Sequence, residues 1–438
     1  MNTLLLLLLV VIFILPSGYL VYKLSGGLYL NYISLWFLTY LLFSLFGSLL
    51  ISSGLANDSY FVRPFVNKSD IIFYGGTITI YVGFIVFFPL CLLLKKIGVN
   101  RNIIGFTNND IIVRPHEKLA LLVLCVIFIM SFFYYIYATN PNPLIMALKG
   151  YSPLDIAIRR LDLTKDLSLY ANTYIIAIGK ILAYLLSYSF VVISVKDKKN
   201  RFLTLVIIII SLLFFLSSGE KAPVLWYGIG LALAYNIAKG VKFKISLKLF
   251  VCLFVLVFCI YLLFVPGKLY DIVKLIQDRI IIAQQIAIYG SLDHYHDLFG
   301  NIGFHSLSNI VTKLFNVNLV LPASSVLMGI YYPGMLENGG WNVNGMFIYE
   351  AWSNFGIIGL LLGPIWVMLL SFIFLIIVFK LPKTPFNIAI YTYGTINITY
   401  FLTSFNAYIY NSDWIVFSLI YVIYYILSNV FNFKYANE

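Results

Sequence analysis

Glu350 and Asn354 stand four residues apart, just ahead of a long apolar run. On a helix that spacing puts both side chains on one face. An acid at a bilayer edge, among Tyr349, Trp352 and Phe355, is expected to titrate closer to neutral pH and to act as a base towards a hydroxyl. Its structural alternative is an ion pair with Lys180 or Arg279. His294 and His296, in the run Asp293-His294-Tyr295-His296-Asp297, are further candidates for the base, as is His305. That run does not read as a metal centre. Its histidines share a face only in a strand and its aspartates only in a helix, so no regular structure converges all four. Positive charge is supplied by Arg159, Arg160, Lys221 and Arg279. A guanidinium fork matches the oxygens of a diphosphate. The alternatives are, for Arg159 and Arg160, internal pairing with Asp155 or Asp162 plus attraction to lipid headgroups and, for Arg279, a charge facing water. Lys180 and Glu220 are supporting charges, one inside an apolar run and one in the tight turn beside Lys221.

The elements that carry these residues are membrane helices. The 438 residues are 61% hydrophobic and 11% charged, with mean hydropathy +0.95. A soluble domain carries about 25% charged residues. A membrane-spanning helix needs about 20 apolar residues, and backbone polar groups in lipid must be satisfied within the segment, which favours helices. Spans are expected near 3–22, 29–53, 71–94, 119–138, 172–195, 202–217, 224–238, 249–266, 357–379, 388–405 and 414–430. The expected fold is therefore an all-α polytopic integral membrane protein of about 11 helices, with residues 1–438 forming a single membrane domain.

The formal charge of +12 is a matter of sidedness. Lys95, Lys96, Arg101, Arg114 and Lys118 fill one gap between spans. Lys196, Lys198, Lys199 and Arg201 fill another, Lys239, Lys242, Lys244 and Lys248 a third, and Lys380 and Lys383 a fourth. These gaps alternate along the chain, so they share a face, and the excess of Lys and Arg marks it as cytoplasmic. That orientation puts the N-terminus outside and the C-terminus inside. It leaves two long outer loops, 139–170 and 267–356, which hold most of the candidate residues. The basic balance thus needs no nucleic acid to explain it.

Residues 139–170 open on Asn140-Pro141-Asn142-Pro143, which stops a helix. A short surface helix follows over 153–162. Residues 268–289 alternate charged and aliphatic positions, as expected of an amphipathic helix lying in the interface. Lys180 sits about nine residues into its span, or about 13 Å at helical rise. A charge there is either functional or snorkels outward. Cys91, Cys125, Cys252 and Cys259 all fall in apolar spans and form no disulfide or metal pattern. No D-x-D, GxSxG, HExxH or phosphate-binding P-loop spacing occurs, and no cofactor is expected.

Two stretches carry a resemblance. One is Leu216-Ser-Ser-Gly-Glu-Lys-Ala-Pro-Val-Leu225. The other is Gly345-Met-Phe-Ile-Tyr-Glu-Ala-Trp-Ser-Asn-Phe-Gly-Ile-Ile-Gly-Leu360. Together with the span layout they resemble the Wzy-type oligosaccharide repeat-unit polymerases of bacterial surface polysaccharide assembly. Lys221 stands where such relatives often have Arg. The resemblance implies a GT-C-like glycosyltransferase in the bacterial plasma (inner) membrane, with its active site facing the periplasm or exterior. It would join undecaprenyl-diphosphate-linked oligosaccharides into O-antigen or capsule, sometimes beside a chain-length regulator. Arg159, Arg160, Lys221 and Arg279 would meet the diphosphate, and Glu350 or a loop histidine would serve as base. Aromatics such as Tyr331, Tyr332, Trp341 and Trp352 would stack on sugars. An O-antigen ligase shares this layout. A lipid-linked sugar flippase or other transporter predicts related halves and midplane broken helices, and no internal repeat is present.

Overall fold

A computed structural model of the chain describes residues 2–98, 111–152, 155–156, 158–159, 162–163, 170–218, 221–244, 251, 255, 258, 269–294, 298, 300, 302–307, 309–314, 316–334, 342–397 and 403–436. Among these residues the structure is helical, with no β-strand beyond one isolated bridge between Tyr29 and Lys244. Among the described residues eight helices are long and apolar enough to cross a membrane. We label the described helices used below α1 (Thr3–Ser25), α2 (Tyr32–Ser52), α3 (Ser69–Lys96), α4 (Pro115–Ala138), α5 (Tyr170–Lys196), α6 (Arg201–Ser217), α7 (Lys221–Lys239), α8 (Leu269–Ile276), α9 (Ile286–Asp293), α10 (Ala323–Tyr331), α11 (Ile348–Lys380), α12 (Pro385–Ile396) and α13 (Ser412–Ala436). The span expected at 249–266 lies almost wholly outside the described residues. The one expected at 388–405 is a twelve-residue helix, α12, that ends at Ile396.

The chain gathers into two compact units. The first comprises Met1–Ile104, Lys244–Ile376 and Ile398–Tyr410. The second comprises Gly105–Phe243, Ile377–Asn397 and Asn411–Glu438.

The first unit is built on α1, α2 and α3. Asn31 starts α2 with a reciprocal cap: its side chain accepts from the N–H groups of Ile33 and Ser34, and the Ser34 hydroxyl accepts from the Asn31 N–H. In α1 a π-turn over Val10–Ile14 precedes Pro16, whose missing N–H would otherwise break the ladder. Close approach in this unit is bought by glycines in α3. A Cβ on Gly75 would overlap the Tyr289 ring, and one on Gly83 the Tyr40 ring.

The segment read as an interfacial helix is partly a packed element. Over Gln277–Ile282 it forms a π-turn, and Ile282 and Gln285 are fully buried. Gln285 donates to the Phe43 carbonyl of α2 at 2.9 Å. Only the outer side of this stretch, with Tyr270, Val273 and Arg279, stays exposed. The aliphatic half of its amphipathic pattern therefore meets protein.

In the second unit, α5 is the central helix. From Ile181 to Ile193 its residues are buried throughout, against α4, α6, α7, α12 and α13. Ser187 bonds to Ser211 of α6 at 2.9 Å, and Tyr184, Tyr188 and Tyr227 pack ring on ring. Small hydroxyls and aromatics supply the interhelical contacts that lipid-like aliphatics cannot.

Candidate functional site

The Glu350 stretch is shaped by glycine. Within α11, Gly356 has φ 58° and ψ −137°, a conformation that side chains rarely adopt, so the helix breaks there. The short segment Ile348–Phe355 then folds back along the start of the long apolar part. A Cβ on Gly359 would overlap the Ala351 carbonyl, and one on Gly363 would come within 3.1 Å of the Ala351 Cβ. Eight and twelve residues apart in sequence, these groups would be far apart on a continuous helix. The Asn-Phe-Gly-x-x-Gly run therefore encodes a reversal.

That reversal holds Glu350 and Asn354 in a buried polar cluster. Glu350 Oε2 accepts from the Ser404 hydroxyl at 2.9 Å and from the Asn406 backbone N–H at 2.9 Å. Among the described residues Oε1 has one long hydrogen bond, 3.5 Å from the Tyr349 hydroxyl, which also donates to the Thr403 carbonyl at 3.0 Å, and the Phe405 N–H also faces the carboxyl. Asn354 donates to Asn406 Oδ1 at 2.7 Å and accepts from the Ser306 hydroxyl at 3.0 Å. Asn406 Nδ2 closes the ring onto Ser306, 3.2 Å from both its carbonyl and its hydroxyl. Glu350 is 5% exposed and Asn354 1%. Among the described residues no cation pairs with Glu350. One of its oxygens is thus fixed and the other is left with acceptor capacity.

The alternative for Glu350, an ion pair with Lys180 or Arg279, is not seen among the described residues. Lys180, on α5, pairs with Asp413 in the first turn of α13, at 3.0 Å. Arg279 is exposed and makes no ion pair among the described residues. Arg159 does not pair with Asp155, which is bonded to Ser152 at 2.7 Å; its guanidinium donates to the carbonyls of Asn140 and Pro141 at 3.1 and 3.2 Å. Arg160, Glu220 and His296 lie outside the described residues, and Lys221 is placed only as the first residue of α7. His305 Nδ1 donates to the Asn318 carbonyl at 2.8 Å, since a carbonyl only accepts.

A second cluster surrounds Asp293. Its Oδ2 accepts from both Lys68 Nζ and the Tyr331 hydroxyl. Burial pushes the Asp293 carboxyl up, but the two donors and the Lys68 charge outweigh it and hold it below the ordinary carboxylate value. Burial and the adjoining carboxylate push the Tyr331 phenol well above its ordinary value. His294 lies here, with its ring 5.6 Å from Tyr331, and not with Glu350. Tyr332 is fully buried and donates to the Phe61 carbonyl at 2.6 Å, so it is not the sugar-stacking surface expected of it. Trp341 lies outside the described residues.

Sequence reading paired Glu350 with Asn354 but missed Ser306, Ser404 and Asn406. Asn406 was hidden because Ser404 was counted with a span. The usable signal was the polar run Thr403-Ser404-Phe405-Asn406, where a spanning helix has to end.

The helices define a polytopic α-helical membrane protein with a buried carboxyl on a broken helix, unpaired by any cation among the described residues. No family model, curated protein or solved structure matches the chain.

Proposed function

We propose that this protein is a polymerase that joins lipid-diphosphate-linked oligosaccharide units on the outer face of a bacterial plasma membrane. The observation that carries this reading is the Glu350 cluster. It falls within the stretch that resembles the Wzy-type polymerases, and it leaves one carboxyl oxygen, Oε1, with capacity for a proton. In this reading Glu350 Oε1 takes the proton of an acceptor-sugar hydroxyl. The hydroxyl oxygen bonds to the anomeric carbon of the donor, and the bond from that carbon to the carrier diphosphate breaks. The lipid diphosphate leaves with the electron pair, met by positive charge. Arg279, in the same unit as Glu350, has an exposed guanidinium for this.

Contacts between connecting segments support the assumed sidedness. Lys68 meets Asp293, Asn406 meets Glu350, and Asp413 meets Lys180, all near ends assigned to the outer face. Tyr29 bridges to Lys244, and the Ile112 N–H donates to the Lys383 carbonyl at 3.1 Å, both pairs assigned to the inner face. A shifted span count would place some of these partners on opposite faces.

The deciding experiment supplies purified protein in nanodiscs with a single lipid-linked oligosaccharide. A ladder of multiples of the repeat supports polymerisation. Transfer only onto an added lipid A core would make it a ligase. Movement of intact substrate across liposomes without new glycosidic bonds would make it a transporter.

A further inference from the structure

The segment between α2 and α3 meets the ends of α9 and α10 in a patch that the reaction above does not use. Tyr60, Tyr332, Tyr331 and His294 follow one another ring by ring, with centroid steps of 5.6, 6.2 and 5.6 Å. Phe65 lies beneath, 4.8 Å from Tyr331, and is fully buried. Asp293 and Lys68 border the same rings. We propose that this patch, Tyr60, Lys68, Asp293 and His294 on a floor of Phe65, Tyr331 and Tyr332, is a binding subsite for a sugar ring of the glycan substrate.

Three features point to a neutral polyhydroxyl ligand. The first is unused hydrogen-bonding capacity at fixed positions. Both donors to Asp293 converge on Oδ2, so Oδ1 has no hydrogen-bond partner among the described residues. The His294 ring likewise makes no hydrogen bond among them and is only half buried. A carboxylate oxygen accepts from adjacent hydroxyls, and an imidazole N–H beside it donates to them. The second is an exposed aromatic face: Tyr60 is 45% exposed, while the rings behind it are packed and cannot collapse over it. Such a ring offers stacking area at low entropic cost, with a polar tip. The third is charge. Lys68 neutralises Asp293, so the patch carries no net positive field to hold a phosphate, and it is too polar for an acyl chain. Preorganisation comes from the Tyr332 bond to Phe61 and the Tyr331 bond to Asp293, which lock the floor.

The inference rests on the reading of a glycan substrate, yet it can be tested apart from polymerisation. The probe is the lipid-free repeat oligosaccharide, released by mild acid from carrier lipid of the source cells. Binding to the protein in nanodiscs is followed by saturation-transfer NMR. Tyr60→Ala and His294→Ala remove side chains that no fold contact depends on heavily, and thermal unfolding confirms that they fold. Each is expected to weaken binding about tenfold and to raise KM for the lipid-linked unit equally, with kcat unchanged. Asp293→Asn should do the same. Tyr74→Ala, on exposed α3 surface, should change neither. Wild-type binding of the oligosaccharide by Tyr60→Ala and His294→Ala overturns the subsite, even if the ladder forms. Absence of binding to the wild type overturns it as well. Binding that depends on these residues without any ladder keeps the subsite and removes the polymerase.

Discussion

Replacing Glu350 by Gln and by Ala separates its chemistry from its packing. In the Gln variant the amide oxygen takes the place of Oε2 and still accepts from Ser404 and the Asn406 N–H, both now at 2.9 Å. The amide nitrogen then faces the side of Oε1, where the nearest hydrogen-bonding neighbour is the Tyr349 hydroxyl at 3.5 Å. No donor of the wild-type cluster loses its acceptor, so unfolding stability should stay within about 1 kcal/mol of wild type. Ala leaves the Ser404 hydroxyl and the Asn406 N–H without an acceptor in a buried site. At about 1–3 kcal/mol for each orphaned group, Ala should cost roughly 2–6 kcal/mol. Turnover should fall in both, because neither can take a proton, and loss of a general base costs about 10²–10⁴ in rate. The assays are thermal unfolding in detergent and the initial rate of ladder formation from lipid-linked substrate. Glu350→Gln with wild-type turnover would refute the base. Glu350→Gln as unstable as Glu350→Ala would refute the hydrogen-bond account of the cluster.

Asn406→Ala should cost about 1–3 kcal/mol, since it strands the buried Asn354 amide N–H while the Ser306 hydroxyl keeps its bond to Asn354 Oδ1 and the backbone bond to Glu350 remains; thermal unfolding reads the loss. Gly359→Ala should lower the unfolding midpoint strongly, by an overpacking cost of about 1–3 kcal/mol or more, because the Ala351 carbonyl cannot move aside. Gly228→Ala, whose added methyl meets nothing within 4 Å, should be neutral or gain up to about 1 kcal/mol. The Lys180–Asp413 pair is partly exposed, so a double-mutant cycle with Lys180→Met and Asp413→Asn should give a coupling of only about 0.2–1 kcal/mol. The Asp293 carboxyl is depressed in the folded protein. Its stabilising contribution is present above the unfolded carboxylate value and is lost as pH falls through the lower folded value, thus below about pH 4. Lys68→Met should flatten that acid limb in a pH series of unfolding midpoints.

Membrane class and the alternation of faces were legible because they rest on run length and on the placement of Lys and Arg, which local composition carries. Glu350 and Asn354 were legible as a pair because helical spacing is local. Their partners were not, since Ser306 and Asn406 lie 48 and 52 residues from Asn354 in the chain. Asp293 was read as part of a histidine-rich run, whereas its fixed partner is Lys68, 225 residues away. The fold-back at Gly356 was visible only as a glycine before a span. A single glycine does not say whether the chain bends or continues. The packing of Gln285 against α2 was missed for another reason: an amphipathic pattern tells which side is apolar but not whether protein or lipid covers it.

The three glycines of the α11 reversal set a limit on how this sequence can drift. Lipid-facing positions such as Ile357, Ile358, Leu361 and Leu362 are exposed and exchange freely among aliphatic residues. Gly356 is held by its backbone angles, Gly359 by a neighbouring carbonyl, and Gly363 by the Ala351 methyl. A distant homologue that keeps the carboxyl where it is must therefore keep an acid, then Asn four residues on, then glycines at the sixth, ninth and thirteenth positions after the acid. Over most of its length such a homologue can have diverged past recognition, and this short cadence would be the ancestry it still shows.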